Sequence, residues 1–346
     1  MRKRTRYTLL VVALLLFALA AVVYLRQKAP PDVARLLPES DAIVYLDLKP
    51  LREATHFDRT PVTRSPSYRQ FIDATGIVAE RDVDRVAFAL HRMANPSGPN
   101  GPVAFSEVFE GHFDTARLGH YLAATAVSQE VYAGRTIYSI PSENRTLRVV
   151  ILAYDTVAAS NMPTPEQIHS IVDRQQAAAS PFSGSSLLEA RYHEVPPFST
   201  AWAIGHIGLP FAANGDQQSH IQLLGLELPI PANATFVASV RIIGALASDL
   251  HMSGGRVALR VDEIAPDSTT AAASAASLTA LLNVLRTVQL AQQPTPATPE
   301  DQAMRQLSDS VKIVQHDNLA RFSASLPIES LRHLAPSVRT HENTPR

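Results

Sequence analysis

The sequence predicts an α+β fold: an N-terminal transmembrane helix followed by two mixed, largely antiparallel sheet-plus-helix domains. Three observations predict it. An uncharged apolar run extends from Tyr7 to Leu25. After it, short alternating strands come in hairpin pairs with helices between them, not in strict strand–helix alternation. The chain has 346 residues, 46% of them hydrophobic and 18% charged, which suits about two domains with packed cores.

The apolar run "YTLLVVALLLFALAAVVYL" would span about 28 Å as a helix, close to the hydrocarbon thickness of a bilayer. Arg2, Lys3, Arg4 and Arg6 precede it and Arg26 and Lys28 follow it, which orients the N-terminus toward the cytoplasm. Tyr7 and Tyr24 suit the two interfaces. A cleaved signal peptide is the competing reading, since "ALA" at 18–20 fits the small-residue cleavage rule. Both readings leave the rest of the chain extracytoplasmic. The expected division is 1–28, cytoplasmic stub and signal-anchor; 29–185, first α+β domain; and 186–340, second α+β domain. The boundary is placed in the Ser-rich, Pro-Pro-containing stretch 177–197.

The elements follow in order. "DAIVYLDLKPL" (41–51) alternates as a strand ended by Pro50. "SPSYRQFIDATG" (65–76) is a helix with Ser65 as cap, Pro66 in the first position and Gly76 past its end. "VDRVAFALH" and "VAFSEVFEGHFD" (103–114) are strands joined across the loop "NPSGPNGP". A helix starts at Thr115 with Asp114 as its cap. "EVYAGRTIYSIP" and "TLRVVILAYDTVAAS" are further strands, and "TPEQIHSIVDRQ" (164–175) is a helix with a capping box from Thr164 to Gln167. Strands are expected in 199–209, 234–246 and 250–263. An Ala-rich helix follows at 268–291, its single Leu stripe and scattered Ser and Thr arguing against a second membrane span. "QQPTPATP" (292–299) reads as a linker, and 310–326 as two strands about a His316-Asp317-Asn318 turn.

The sequence contains no cysteine, which excludes disulfides, thiolate catalysis and Cys-based metal sites. A net charge of −1, with no basic block beyond the N-terminus, excludes the footprint of a nucleic-acid binder. No Walker loop, G-x-G-x-x-G, G-x-S-x-G or S-x-x-K is present, so no catalytic residue and no cofactor is assigned. The most chemical stretch is "SEVFEGHFDTARLGHYL", with Glu107, Glu110, His112, Asp114 and His120. By strand alternation Val103, Phe105, Glu107, Phe109, Gly111 and Phe113 share the expected core face. Glu110 and His112 share the solvent face and are the candidate metal ligands; such a site would need further ligands from elsewhere. A capped strand–helix junction accounts for the same residues without a metal.

"LLPESDAIVYLDLKPL", "GHFDTARLGHYL", "YAGRTIYSI" and "SVKIVQHDNLARFSASLPIESL" together resemble uncharacterised bacterial single-pass envelope proteins, a domain of unknown function with an LPxDAxxYLxL opening and a GxFD strand–helix junction. The resemblance implies a location at the bacterial cytoplasmic membrane, N-terminus inside and soluble domains outside. It brings no activity or catalytic residue with it. The expectation is therefore a membrane-anchored extracytoplasmic protein, a non-enzymatic envelope interaction or binding module. The alternatives are a metal-assisted hydrolase and a carrier of lipid or another apolar ligand. Expected partners are the membrane, through Tyr7 to Leu25, and an envelope protein or apolar ligand.

Overall fold

The computed structural model describes residue 12 and residues 29–59, 64–98, 101–142, 145–177, 184–206, 219–223, 226–230, 234–243, 255–292 and 298–330. One twelve-stranded sheet organises them, in the order β13-β14-β12-β11-β8-β1-β2-β3-β7-β6-β5-β4, with every neighbouring pair antiparallel.

The strands are β1 (Ala42–Asp47), β2 (Val83–Arg92), β3 (Val103–Gly111), β4 (Ser128–Tyr132), β5 (Arg135–Ser142), β6 (Arg145–Ile151), β7 (Thr156–Ser160) and β8 (Ala201–Gly205). They continue with β11 (Thr235–Ile243), β12 (Arg256–Ile264), β13 (Lys312–His316) and β14 (Leu319–Pro327); β9 (Ser219–Leu223) and β10 (Leu226–Ile230) form a separate hairpin. The helices are α1 (Asp32–Arg35), α2 (Leu48–Thr55), α3 (Pro66–Thr75), α4 (Ala79–Asp82), α5 (Thr115–Thr125), α6 (Glu166–Gln176), α7 (Ser186–Arg191), α8 (Ser268–Gln292) and α9 (Pro299–Ser310).

This architecture corrects the expected fold class. Two sheet-plus-helix domains were expected, but β1 pairs on one side with β2 and on the other with β8, so a single sheet runs through both halves of the chain. The transmembrane part of that expectation is corrected as well: among the described residues no helix is long and apolar enough to cross a membrane. The expected span Tyr7–Leu25 lies outside the described residues except for Val12. The same finding on helices corrects the expected single-pass placement, signal-anchor and membrane partner.

Helices cover both faces of the sheet. On the first face Ile43, Tyr45, Ala87, Ala89, Val108, Ile137, Val150, Ala158, Trp202, Ile204 and Val237 form the main core. They pack with Val33 and Ala34 of α1, Ile168, Ile171 and Val172 of α6, and Leu188 of α7. Small residues on β2, β3 and β7 let these helices approach closely. On the second face α3 and α5 bring Phe71, Leu118 and Leu122 over Val149, Val157 and Ala159. At the other end of that face α8 and α9 bury Ala271, Ala275 and Ala303 near Ala324 and Leu326 of β14. Ser274 of α8 donates to Glu263 of β12 at 2.8 Å, fixing that helix to the second face.

Several local expectations meet a different outcome. β1 ends at Asp47, which caps α2 by accepting from the Lys49 amide at 3.3 Å, so Pro50 lies inside a helix and not at a strand end. α6 has no side-chain cap; Thr164 donates to Glu166 instead, at 2.9 Å. The capping box is at α9, where Thr298 and Asp301 bond each other's backbone amides and Pro299 opens the helix.

Candidate functional site

The strand–helix junction after β3 is built as its sequence suggests. Asp114 accepts from the Arg117 amide at 3.0 Å and caps α5. Gly111 is required by a close approach: a Cβ there would lie 2.1 Å from the Asp82 carbonyl oxygen. The backbone of this bend is tied down on both sides, with Gly111 donating to Asp155 and His112 to Asp82.

Glu110 and His112 line one open cleft of about 570 Å³ with Asp84, Asp114 and Asp155, but each is engaged by a different partner. Glu110 accepts from Arg85 at 3.1 Å, and Arg85 also lies 3.7 Å from Asp47. His112 is 81% exposed and sits 3.5 Å from Asp84, which is itself held by Arg52 at 3.0 Å. The two candidate ligands thus belong to two separate ion-pair chains. Burial raises the Glu110 carboxyl's pKa, and Arg85 opposes that rise. Among the described residues no group of three or more His, Asp or Glu side chains is placed to hold a metal. His120 stands on α5, apart from both.

A serine–histidine pair that sequence inspection did not single out lies on the first face. His91 Nε2 is 3.0 Å from Ser106 Oγ, which is 2.9 Å from Ser160 Oγ. In composition this is a nucleophile beside a base. Ser106 has 0% exposure, Ser160 1% and His91 6%, so no substrate carbonyl reaches the hydroxyl. The three residues act as a polar cross-link of β2, β3 and β7 inside the core.

The second face carries a different arrangement. Residues paired across neighbouring strands share a face, and the registers define one row: Ile313, Phe322, Val261, Ala238, Ala203, Val44, Phe88, Glu107, Ala159, Val149, Tyr138, Gln129. Glu107 is the single charged member. The flanking row reads Ala201, Leu46, Val86, Phe109, Val157, and on the other side stand Ala42, Leu90 and Phe105. Between the α3–α5 pair and the α8–α9 pair, Val44, Leu46, Phe88, Leu90, Phe105, Phe109, Ala203 and Val240 are half-buried. At about 4.8 Å per strand, the five strands β11, β8, β1, β2 and β3 make an apolar strip roughly 20 Å wide.

Glu107 sits at one edge of this strip, half-buried, with no hydrogen bond or ion pair to any described residue. Burial alone pushes its carboxyl up to about 7. The expectation that Phe105, Glu107 and Phe109 form the core face of β3 is corrected: Ala104, Ser106 and Val108 are the fully buried set. The reason is helix cover. α1 closes over the small side chains of the first face, whereas the phenylalanines lie on the strip. The signal for a site was present in "FSEVF", a lone carboxylate between aromatic residues on one strand face, but its significance depends on neighbours far away in sequence.

No protein-family description matches the chain, and no curated protein matches it. Among solved structures, crystal form III of TP0453 is similar with a TM-score of 0.41 and 10% identity, over 88% of this chain and 97% of that one. Crystal form IV of TP0453 is similar with a TM-score of 0.41 and 11% identity, over 90% of this chain and 99% of that one.

Proposed function

We propose that this chain is a non-enzymatic binding module whose ligand lies on the apolar strip beside Glu107: a small molecule with an apolar body and one hydrogen-bonding group. The observation that carries the reading is Glu107, the single charge in its cross-strand row, without a partner among the described residues. A half-buried carboxyl without a protein partner keeps only part of its hydration, which costs a fraction of the penalty for a fully buried unpaired group. A ligand hydroxyl, amide or carboxyl would recover that cost. With its pKa near 7, the group can donate in the acid form or accept in the ionised form. An apolar surface with one polar group shares the composition of a small-molecule site.

This reading favours the apolar ligand among the expected partners. The hydrolase alternative gains no support, because Glu110 and His112 are engaged separately. The test is organic extraction of the purified full chain followed by mass spectrometry. The reading expects a co-purifying amphipathic molecule in wild-type protein and its depletion in Glu107→Leu and Phe88→Asp variants. Identical extracts from all three proteins would refute it.

A further inference from the structure

A second cleft, on the first face, is built around Asp262. Asp262 of β12 is 1% exposed and accepts from Arg260 Nε at 2.8 and 3.0 Å and from Arg260 Nη2. It also accepts from Arg321 of β14, through Nε at 2.8 Å and Nη2 at 3.1 Å. One carboxylate therefore fixes two guanidinium groups. A third, Arg191 at the end of α7, donates through Nη1 to Glu194 at 3.0 Å. These residues and His193 line a cleft of about 470 Å³.

The charges of this cleft do not cancel. Three guanidiniums stand against two carboxylates, and the histidine adds no negative charge. Nη1 of Arg260, Nη1 of Arg321 and Nη2 of Arg191 have no hydrogen-bond partner among the described residues. Asp262 uses the inner edge of two rigid, planar donor groups and leaves their remaining N–H bonds available. Glu194 balances Arg191, so the excess positive charge lies on Arg260 and Arg321, which share one carboxylate, and an anion between the three guanidiniums would neutralise it.

We propose that the cleft formed by Arg191, Arg260 and Arg321 binds an oxyanion, a phosphate or a carboxylate, through guanidinium N–H groups oriented by Asp262. Charge-assisted, forked bonds of this kind suit both groups. The oxyanion would come either from a free small molecule or from an anionic lipid headgroup.

The test uses the full chain with three probes: inorganic phosphate, acetate, and vesicles of phosphatidylglycerol compared with phosphatidylcholine. Calorimetry reads the two small anions and co-sedimentation reads the vesicles. Saturable binding of phosphate or acetate, weakened about tenfold in Arg191→Gln, supports a free small ligand, tenfold corresponding to one lost charge-assisted bond of about 1.4 kcal/mol. Binding only to phosphatidylglycerol vesicles, reduced in Arg191→Gln and Arg321→Lys, supports a headgroup. Arg191→Gln leaves the Asp262 pairs in place, so it reports on binding even if Arg321→Lys folds poorly. Absence of saturable binding to every probe, or binding that Arg191→Gln leaves unchanged, overturns the proposal.

Discussion

Glu107 stands directly opposite Phe88 in the β2–β3 register, a carboxyl paired across strands with an aromatic ring. Its other neighbour, Ala159 of β7, is buried beneath the α3–α5 pair. A charge in such a place works against folding, and this gives the first prediction. Unfolded glutamate releases its proton near pH 4.3, whereas folded Glu107 does so at about 7. Between these values the folded state binds more protons, so stability falls as pH rises and levels off above the folded value. Glu107→Leu removes this loss. Urea unfolding should show the variant more stable than wild type by about 2–3 kcal/mol at pH 8 and much closer to it at pH 5. A pH-independent difference would contradict the account.

The His91–Ser106–Ser160 cross-link gives a prediction of opposite sign. Burial lowers the His91 pKa, while Asp41 opposes the shift. As pH falls below about 6.5, the unfolded chain takes up a proton there before the folded one does, and stability is lost. His91→Gln should remove this loss, so the variant gains stability relative to wild type as pH falls from 7 to 5. Ser106→Ala, which strips His91 Nε2 of its partner, should cost about 1–3 kcal/mol at pH 7.

Asp262 predicts a steeper penalty. Burial pushes its carboxyl up, but the hydrogen bonds from Arg260 and Arg321 more than offset that and leave its pKa below the ordinary range. The resulting stability is present above pH about 4 and is lost as pH falls through the depressed folded value. Asp262→Asn leaves two partly buried guanidiniums without their anion and should destabilise by about 3 kcal/mol or more at pH 7. Thermal or urea unfolding checks it.

At the β3–α5 junction, Asp114→Ala should cost about 1 kcal/mol through the lost cap. Gly111→Ala should cost considerably more, because its Cβ would meet the Asp82 carbonyl oxygen at 2.1 Å. Circular dichroism melts of the two variants rank them directly.

Local chemistry was legible at several junctions where a residue's partner is a near neighbour, though not at the starts of α2, α6 and α9. Ser65, Pro66 and Gly76 bound α3 as their types suggest, with Gly76 at φ 76°. Asp114 caps α5, and Asp317, at φ 51°, turns the β13–β14 hairpin. What stayed hidden depends on distant pairing. The β1–β8 contact joins residues far apart in the chain and merges the two halves into one sheet, and no periodicity announces it. Strand alternation correctly separated the two faces of β3, but it could not say which face the helices cover. α9 was obscured because "PTPATP" hides the Thr298–Pro299 start of a capped helix. The arginine cleft draws Arg191, Arg260 and Arg321 from separate elements, so no motif marks it.

The most direct test of the binding account is titration of the purified full chain with a dansyl-labelled undecanoic acid, for wild type and Glu107→Leu at pH 6 and pH 8. The account predicts saturable binding by wild type, pH-dependent as the Glu107 carboxyl ionises, and binding by the variant that is weaker and insensitive to this pH change. Equal affinities for both proteins at both pH values, or no saturable binding by wild type, would contradict it.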